Sequence, residues 1–282
     1  MQINSKGRIL DLSIPRVMGI LNITPDSFSD GGKYLNHNAA LNHASKMINE
    51  GASIIDIGGE STRPGYKKIS INEELDRILP IIELIHNRFD IWISVDTYKA
   101  KVMEEAAKIG IHMINDIYSL HEKNTLKTAI QINLPICIMH INKYQKFFLK
   151  TKKNKNSIFD IKFFFKKEIK RCVDSGIKKN QLIIDPGFGF QKTLNDNYNI
   201  LSNLKKLHKF KLPILVGMSR KTMIGNLLNI PPNKRLIGSI TCSVIAAMQG
   251  IHIIRAHDVK ETIEAIKIVQ KTLIKKNGIQ YV

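Results

Sequence analysis

Short apolar runs alternate with longer amphipathic stretches along most of the chain. Each run is rich in Ile, Val, Leu and Met and gives way to a polar or glycine-containing loop, which is typical of a strand buried on both faces. Eight such runs predict strands at residues 16–23, 53–58, 91–96, 112–116, 135–140, 182–185, 213–218 and 252–257.

The segments that follow these runs carry apolar residues at helical spacing. They predict helices at residues 38–50, 71–88, 99–109, 124–132, 158–175, 195–206, 238–249 and 259–275. The helix at 71–88 would begin with Asn72 as its N-cap, followed by the acidic Glu73 and Glu74.

Regular alternation of strand and helix implies a parallel sheet, and eight such units in about 250 residues are typical of a (β/α)8 TIM barrel. We therefore predict an α/β protein with a single TIM-barrel domain over residues 1–282. An open doubly wound sheet is the structural alternative, but no G-x-G-x-x-G motif follows the first predicted strand.

The segment LIIDPGFGF at residues 182–190 places a carboxylate at the end of a predicted buried strand. Three aliphatic residues lead into Asp185, and Pro186 and Gly187 stop the strand directly after it. Such a carboxylate must be hydrogen-bonded or functional, because burying it without a partner is costly. From this segment alone, an aspartate that only ties down its own loop explains the pattern equally well.

The other predicted strands repeat this pattern. Polar or charged residues follow nearly all of them: Asn22, Asp56, Glu60, Asp96, Asn115, Asp116, His140, Asp185, Ser219, Arg220, Lys221, Arg255 and His257. Because the active site of a TIM barrel lies at the carboxyl ends of its strands, we expect these side chains to converge and form a binding site.

One set of these groups suits a flat heterocycle with several N–H donors, such as an aminopyrimidinone. Asp96, Asn115 and Asp185 offer carboxylate and amide acceptors for those donors. Lys221 would complement a carbonyl or a nitrogen of the same ring.

A second set is cationic and suits a phosphate or diphosphate. It comprises Arg63, Arg255 and His257. Asn22 could place its amide oxygen on a Mg²⁺ ion beside that diphosphate.

Some strand-end residues also have structural explanations that need no ligand. Asp56 could be paired by Glu60 and Arg63 and serve only to hold the fold. Ser219 and Thr222 could cap a helix that starts near residue 221, although a helix N-terminus also attracts carboxylates.

Composition narrows the class of protein. Of the 282 residues, 43% are hydrophobic and 24% are charged, as in ordinary globular proteins. No apolar run approaches the ~20 residues of a membrane span, and the N-terminal residues lack the apolar core of an export signal, so we expect a cytoplasmic protein with no membrane partner. Cys137, Cys172 and Cys242 lack metal-site spacing and are expected to be reduced and buried.

The net charge of +19 allows two interpretations. A nucleic-acid surface is one, supported by a segment at residues 143–170 in which basic and aromatic residues interleave. A solvated lysine-rich surface is the other, and it is favoured because the basic residues are spread along the chain. We therefore expect no nucleic-acid partner, and a surface that attracts anionic substrates.

Seven motifs taken together resemble the dihydropteroate synthase family. They are MGILNITPDSFSDGG at 18–32, DIGGESTRPG at 56–65, ISVDTYK at 93–99, INDI at 114–117, DPGFGF at 185–190, LVGMSRK at 215–221 and IIRAHDV at 253–259. They span nearly the whole chain in order, and together they are highly specific. The resemblance implies a transferase of folate biosynthesis that joins a dihydropterin-CH₂-diphosphate to 4-aminobenzoate, releases diphosphate, uses Mg²⁺ and forms a homodimer.

The resemblance also implies roles for individual residues. The pterin diphosphate would be bound by Thr62, Asp96, Asn115, Asp185, Lys221, Arg255 and His257. The 4-aminobenzoate pocket would consist of Phe28, Pro64, Phe190, Ser219 and Thr222. Asp96, Asp185, Lys221 and Arg63 would be catalytic, and Asn22 would bind the metal. The expected chemistry is dissociative substitution at the pterin methylene, which needs no side-chain nucleophile.

The chain departs from the family pattern in three places. After the fifth predicted strand, where many members continue with MQG, it has MHINKYQKFF, so His140 and Asn142 are given no function. Gln191 stands where a glycine often follows GFGF, and Tyr98 stands where a smaller residue is common. The nearest alternative function is that of a pterin-binding methyltransferase barrel, which would share the pterin contacts but would not need cationic groups arranged for diphosphate.

Overall fold

A barrel of parallel strands carries the fold in the computed structural model, which describes residues 1–24, 33–60, 68–141 and 158–277. An antiparallel hairpin, β1 (Gln2–Ser5) and β2 (Arg8–Asp11), precedes the barrel. The barrel strands are β3 (Arg16–Asn22), β4 (Ile54–Gly58), β5 (Trp92–Asp96), β6 (Met113–Asp116), β7 (Ile136–Met139), β8 (Leu182–Asp185), β9 (Leu215–Gly217) and β10 (Ile253–Ala256).

The barrel wall closes on itself through hydrogen bonds between neighbouring strands. Strands β3 to β8 pair in succession, and β10 pairs with both β3 and β9. A parallel bridge between Ile184 and Ile214 joins β8 to the residues before β9, and the Ile184 N–H donates to the Pro213 carbonyl at 3.0 Å. The predicted (β/α)8 barrel is therefore confirmed.

Helices connect the strands and cover their outer faces. They are α1 (Lys33–Asn49), α2 (Ile71–Arg88), α3 (Ala100–Ile109), α4 (Thr125–Ile132), α5 (Ile158–Asp174), α6 (Leu194–Ser202), α7 (Thr222–Leu228), α8 (Leu236–Met248) and α9 (Val259–Asn277). The predicted helix at 195–206 is shorter, because its last residues belong to a 3₁₀ segment, Leu204–Phe210. Helix α7 was not among the eight predicted helices, but it begins where the sequence analysis considered a helix starting near residue 221.

Helix α2 has the predicted bounds but a different N-cap. Ser70 holds the extended backbone of a cap (φ −67°, ψ 162°), and its hydroxyl accepts the Glu73 N–H at 3.1 Å. Asn72 lies inside the first turn, so its prediction as the cap was wrong. The serine is the better cap because its short side chain reaches the third helical N–H directly.

Side chains alternate between the interior and the exterior of the barrel along each strand. The inward residues nearest the amino ends form an apolar layer, with one residue from each strand: Met18, Ile54, Trp92, Met113, Cys137, Ile183, Leu215 and Ile253. Ile3, Leu10 and Leu12 from the hairpin region belong to the same cluster. The hairpin, which the sequence did not predict, therefore plugs the amino end of the barrel and leaves the carboxyl end for the site.

No helix in the described part of the chain is long and apolar enough to cross a membrane. Cys137, Cys172 and Cys242 are free thiols and are buried, as predicted.

Candidate active site

A hydrogen-bonded cluster at the carboxyl end of the barrel joins strands that are far apart in sequence. The Arg255 guanidinium donates from Nε to Asp56 Oδ2 at 2.6 Å and from Nη2 to Asp96 Oδ2 at 3.0 Å. Asn115 Nδ2 donates to the same Asp56 oxygen at 3.1 Å. These contacts cross the interior between β4, β5, β6 and β10, so the predicted convergence of these strand ends is present in the structure.

The partners of Asp56 differ from those considered from sequence. Asp56 is fully buried and is held by Asn115 and Arg255, not by Glu60. Glu60 instead accepts hydrogen bonds from the Tyr98 hydroxyl at 2.7 Å and from Lys99 Nζ at 2.6 Å. Asp56 therefore belongs to the polar interior of the barrel.

Burial controls the protonation of the two aspartates assigned to the pterin. It raises the pKa of Asp96 to about 7, although the nearby Arg255 cation opposes the shift. The pKa of Asp185 is also raised by burial, against the opposing charge of Lys221. Asp185 Oδ1 accepts the Gly187 N–H at 2.7 Å, so one of its oxygens anchors the loop that follows β8.

Lys221 lies beside this loop at the start of α7. Its Nζ donates to the Phe188 carbonyl at 2.5 Å and lies 4.6 Å from the centroid of the Phe190 ring. Burial lowers the pKa of Lys221 to about 8, and the negative charge of Asp185 opposes this shift. The ammonium group is therefore close to the Asp185 carboxylate and to the Phe190 ring, which the sequence analysis assigned to the pterin and to the 4-aminobenzoate.

Lys192 is a second lysine on the β8 loop, and the sequence analysis did not single it out. Its Nζ donates to the carbonyls of His140 at 3.1 Å, Gly187 at 2.6 Å and Phe190 at 3.4 Å. The loop passes so close to β7 that a Cβ on Gly187, which has φ +70°, would lie 2.2 Å from the His140 carbonyl oxygen. The only sequence feature that could have indicated a role for Lys192 is its position directly after GFGFQ.

The ends of β9 and β10 are tied together. The Ser219 hydroxyl accepts the His257 N–H at 3.2 Å and lies 3.0 Å from His257 Nδ1. Arg220 forms an ion pair with Asp258. Ser219 therefore does not cap α7, whose N-cap is Lys221, and Thr222 is an exposed residue of the first turn.

Asn22 stands at the end of β3, next to the Asp96 side chain. A Cβ built on Gly58 would lie 3.6 Å from Asn22 Oδ1 and 3.6 Å from Asp96 Cβ, which places the two side chains on either side of this glycine. The amide oxygen of Asn22 is thus at the same mouth as the carboxylates.

Four predicted site residues, Phe28, Thr62, Arg63 and Pro64, lie outside the described residues. The residues that flank the 61–67 segment are described and firmly held. Lys99 Nζ contacts Glu60 Oε2 at 2.6 Å, Glu74 Oε2 at 2.6 Å and the Ile69 carbonyl at 2.8 Å.

Two strand-end residues do not face the site. His140 is buried on the outer side of β7, with its ring 4.9 Å from that of Phe164 in α5. Asp116 accepts the N–H groups of Tyr118 at 2.8 Å and Leu120 at 2.9 Å, so it closes its own turn.

The departures at Gln191 and Tyr98 also have local explanations. Gln191 has φ +49°, in the left-handed region that glycine adopts without strain. Tyr98 packs its ring 4.8 Å from that of Tyr118 while its hydroxyl bonds to Glu60.

Taken together, the mouth offers carboxylate and amide acceptors in its centre and cationic groups around them. Asp96, Asn115 and Asp185 lie within reach of Arg255 and Lys221, in a largely buried setting. Such a site can bind a planar, multiply hydrogen-bonding ring and an attached anion. The described residues contain no set of three His, Cys, Asp or Glu side chains that could hold a metal ion.

Comparison with known proteins shows the family to which this chain belongs. Residues 18–257 match the pterin binding enzyme family. A dihydropteroate synthase from Escherichia coli (strain K12) is 52% identical over 281 residues, covering 100% of both chains. The Yersinia pestis dihydropteroate synthase, solved in complex with a sulfonamide drug, has a TM-score of 0.89 at 54% identity, covering 97% of this chain and 99% of that one. The Xanthomonas albilineans enzyme with 4-aminobenzoic acid has a TM-score of 0.90 at 38% identity, covering 96% and 98%.

Proposed function

Because this chain belongs to the dihydropteroate synthases, a family of pterin-binding enzymes, we propose that its barrel mouth binds the pterin substrate and directs its reaction with an arylamine. The protein is a transferase of folate biosynthesis. It condenses (7,8-dihydropterin-6-yl)methyl diphosphate with 4-aminobenzoate and gives 7,8-dihydropteroate and diphosphate.

The observation that carries the site assignment is the hydrogen-bonded cluster in which Asp56 and Arg255 join Asn115 and Asp96, with Asp185 at the same mouth. In our proposal the two aspartate carboxylates and the Asn115 carbonyl accept hydrogen bonds from N–H groups on the pyrimidine edge of the pterin. Lys221 interacts with its ring carbonyl or nitrogen, and Arg255 stacks on the ring.

The proposed reaction is a dissociative substitution at the exocyclic methylene. The C–O bond to diphosphate breaks and its electron pair leaves with the diphosphate. The ring stabilises the methylene cation, and the carboxylates of Asp96 and Asp185 favour it electrostatically in a setting where burial strengthens such interactions. The amine lone pair of 4-aminobenzoate forms the new C–N bond, and the amine proton is released.

The leaving diphosphate needs positive partners. We propose Arg63, Arg255, His257 and Thr62 for this role, with Asn22 as the protein ligand of a Mg²⁺ ion. The donor fits, because Mg²⁺ prefers oxygen ligands and is commonly held by one or two protein groups together with substrate phosphates. When bound, Mg²⁺ would neutralise charge that develops on the diphosphate.

The arylamine pocket is proposed at Phe190, Ser219 and Thr222, together with Phe28 and Pro64. Phe190 is half-buried beside Lys221, Ser219 lies two residues before Lys221 in the chain, and Thr222 directly follows it. A related structure contains 4-aminobenzoic acid, which supports this substrate class.

We also propose that the enzyme is a homodimer that works as a single-domain protein in the cytoplasm, without nucleic-acid or membrane partners. An exposed apolar face on α8 supports the dimer. Ile237, Ile245 and Met248 are 80%, 38% and 58% exposed at helical spacing, which is unusual for a surface that faces only water. A second copy with the same face would cover it.

This dimer predicts that Ile237→Glu combined with Ile245→Glu yields monomers of unchanged fold, because charges would be buried at the interface. Light scattering after size-exclusion chromatography measures the mass. Ile130→Glu, on α4, is the matched control for an exposed isoleucine and should leave the dimer intact. A wild-type monomer at micromolar concentration would refute the proposal.

The function is tested by diphosphate release. Purified protein is mixed with Mg²⁺ and (7,8-dihydropterin-6-yl)methyl diphosphate, with and without 4-aminobenzoate. We expect release that requires the arylamine and is matched by dihydropteroate formation. Pterin binding without diphosphate release would favour a methyltransferase-like barrel, and an absence of pterin binding would overturn the assigned pocket.

A further inference from the structure

Asp56 is a buried carboxylate of the site to which the resemblance gives no role. It lies on β4, one inward position before Gly58, and has no solvent exposure. One oxygen, Oδ2, receives both Asn115 Nδ2 and Arg255 Nε, at 3.1 Å and 2.6 Å. The same atom therefore contacts two side chains that the proposed mechanism places on the pterin.

The contact with Asn115 fixes which end of the amide faces the substrate. A carboxylate oxygen can only accept a hydrogen bond, so Asn115 must turn its NH₂ group towards Asp56. The Asn115 carbonyl is then free to point away from Asp56 and to accept an N–H of the ring. Without Asp56, the two ends of the amide would be interchangeable by a flip about the last side-chain bond.

The contact with Arg255 has a similar effect. Arg255 bridges two carboxylates, Asp56 through Nε and Asp96 through Nη2. A pterin that uses Asp96 competes for the second contact, while the Asp56 contact lies nearer the root of the guanidinium. Asp56 can therefore hold Arg255 in place while its outer nitrogens turn to the substrate.

The second oxygen of Asp56 makes no hydrogen bond to a described residue that would give Asp56 a different role. Within the described part of the chain, Oδ1 is buried and has no hydrogen-bond donor. Among the described residues, the Asp56 side chain accepts hydrogen bonds from Asn115 and Arg255 alone, and both reach Oδ2. Burying a carboxylate costs free energy, and among the described contacts of the Asp56 side chain only the two at Oδ2 can offset that cost. The role of Asp56 therefore depends on those two contacts.

We propose that Asp56 is a positioning residue for the pterin, which acts by orienting the Asn115 amide and by holding Arg255. This inference rests on the proposed pterin pocket and adds to it the residue that sets the direction of its hydrogen bonds. Asp56 itself does not touch the reacting atoms.

The test is a pair of double-mutant cycles on pterin affinity. The Kd of (7,8-dihydropterin-6-yl)methyl diphosphate is measured by calorimetry without 4-aminobenzoate for Asp56→Ala, Asn115→Ala, Arg255→Ala and the two double variants that contain Asp56→Ala. We expect Asp56→Ala to weaken binding about 10- to 100-fold, since it leaves polar partners unpaired. Because Asp56 acts through its partners, each double variant should lose much less than the product of its two single losses.

Matched variants separate positioning from structural support. Ser94 faces Asp56 in the β4–β5 register and also has a buried oxygen without a partner in the described chain, so Ser94→Ala should leave the Kd within about twofold. Asp56→Asn can place its carbonyl at the Oδ2 position and its NH₂ at the free Oδ1 position. It should recover affinity to within about fivefold of wild type.

Three results would decide against the proposal. They are an unchanged Kd for Asp56→Ala, multiplicative losses in both cycles, or an asparagine variant as weak as the alanine variant. If Asp56→Ala does not fold, Asp56→Leu, which is similar in shape, replaces it in both cycles. If Asn115→Ala and Arg255→Ala bind the pterin normally, the pocket itself is wrong, and that outcome is distinct from a failure of Asp56 alone.

Discussion

The two ends of the barrel are built from the same strands, yet their interiors are opposite in character. At the amino end, the inward residues are apolar, come from all the barrel strands and are sealed by the hairpin residues Ile3 and Leu10. Two residues further along, the inward position is charged or amide-bearing on four of these strands, where Asp56, Asn115, Asp185 and Arg255 follow Ile54, Met113, Ile183 and Ile253.

This difference shows which end of the barrel stabilises the fold and which end lowers its stability. In the apolar layer, every side chain removed from water stabilises the folded state. The polar layer holds carboxylates that burial disfavours in their charged form, as the raised pKa values of Asp96 and Asp185 indicate. The amino end can therefore be expected to determine stability and the carboxyl end to determine activity.

Strand β8 offers the sharpest comparison, because Ile183 and Asp185 are adjacent inward residues in it. Asp185→Asn should lower kcat about 100-fold or more, since in the proposed mechanism the carboxylate stabilises the methylene cation. The Tm should change by no more than a few degrees, because the asparagine oxygen can still accept the Gly187 N–H. Diphosphate release and thermal unfolding are the two measurements.

Asp174→Asn on the exposed face of α5 is the control for the charge change alone and should retain full activity. Near-normal turnover of Asp185→Asn would remove the role assigned to this carboxylate.

The complementary change, Ile183→Ala, should lower the free energy of unfolding by about 2–5 kcal/mol, because it leaves a cavity in the apolar layer. The kcat per folded molecule should stay within about twofold of wild type. Urea unfolding gives the stability, and Ile268→Ala, at a site 69% exposed on α9, should change it by less than about 0.5 kcal/mol. A large loss of kcat with intact stability would mean that the two layers do not divide the work as described.

The apolar half of this comparison could be predicted from sequence more completely than the polar half. Runs such as LIID predict both the strand and the residue that ends it. Helix α2 has its predicted bounds of Ile71–Arg88. The period-2 alternation of side chains also sorts the residues of each strand into two opposite faces. These are local properties, and local patterns carry them.

The missing parts depend on contacts between distant residues. Asp56 and Arg255 are 199 positions apart, and no local pattern pairs them. Lys192 looks like any loop lysine until the fold brings the carbonyls of His140 and Gly187 to it. The hairpin strands are only four residues long and become stable by packing on the barrel.

Lys192 provides a test of how far the polar layer depends on its surroundings. Lys192→Met should lower kcat/KM about tenfold, because the β8 loop loses the ammonium group that bonds the carbonyls of His140, Gly187 and Phe190. Steady-state kinetics with both substrates measures the effect. Lys206→Met, at an exposed lysine outside the loop, is the control. Equal kinetics for the two variants would show that the loop holds its shape without Lys192.

The smallest expected effect concerns the pH dependence of stability. Burial raises the pKa of Asp96 from 3.8 to about 7, so the folded state binds this proton more tightly than the unfolded chain does. Between about pH 4 and pH 7 the free energy of unfolding should therefore fall as the pH rises, by the share that Asp96 contributes. Asp96→Asn has no proton to lose there. Its Tm relative to wild type should rise by a few degrees from pH 4 to pH 8, whatever constant offset the substitution introduces through Arg255.

Thermal unfolding of both proteins across this range measures that difference. The changes at Asp116 and Asp185, whose pKa values are also raised by burial, are common to both and cancel. A Tm difference that is constant with pH would mean that Arg255 holds Asp96 ionised throughout this range. The ion pair would then offset the cost of burying the Asp96 charge. A rising difference would mean that the ionised Asp96 carboxylate lowers the stability of the fold, whereas the apolar side chains at the amino end raise it.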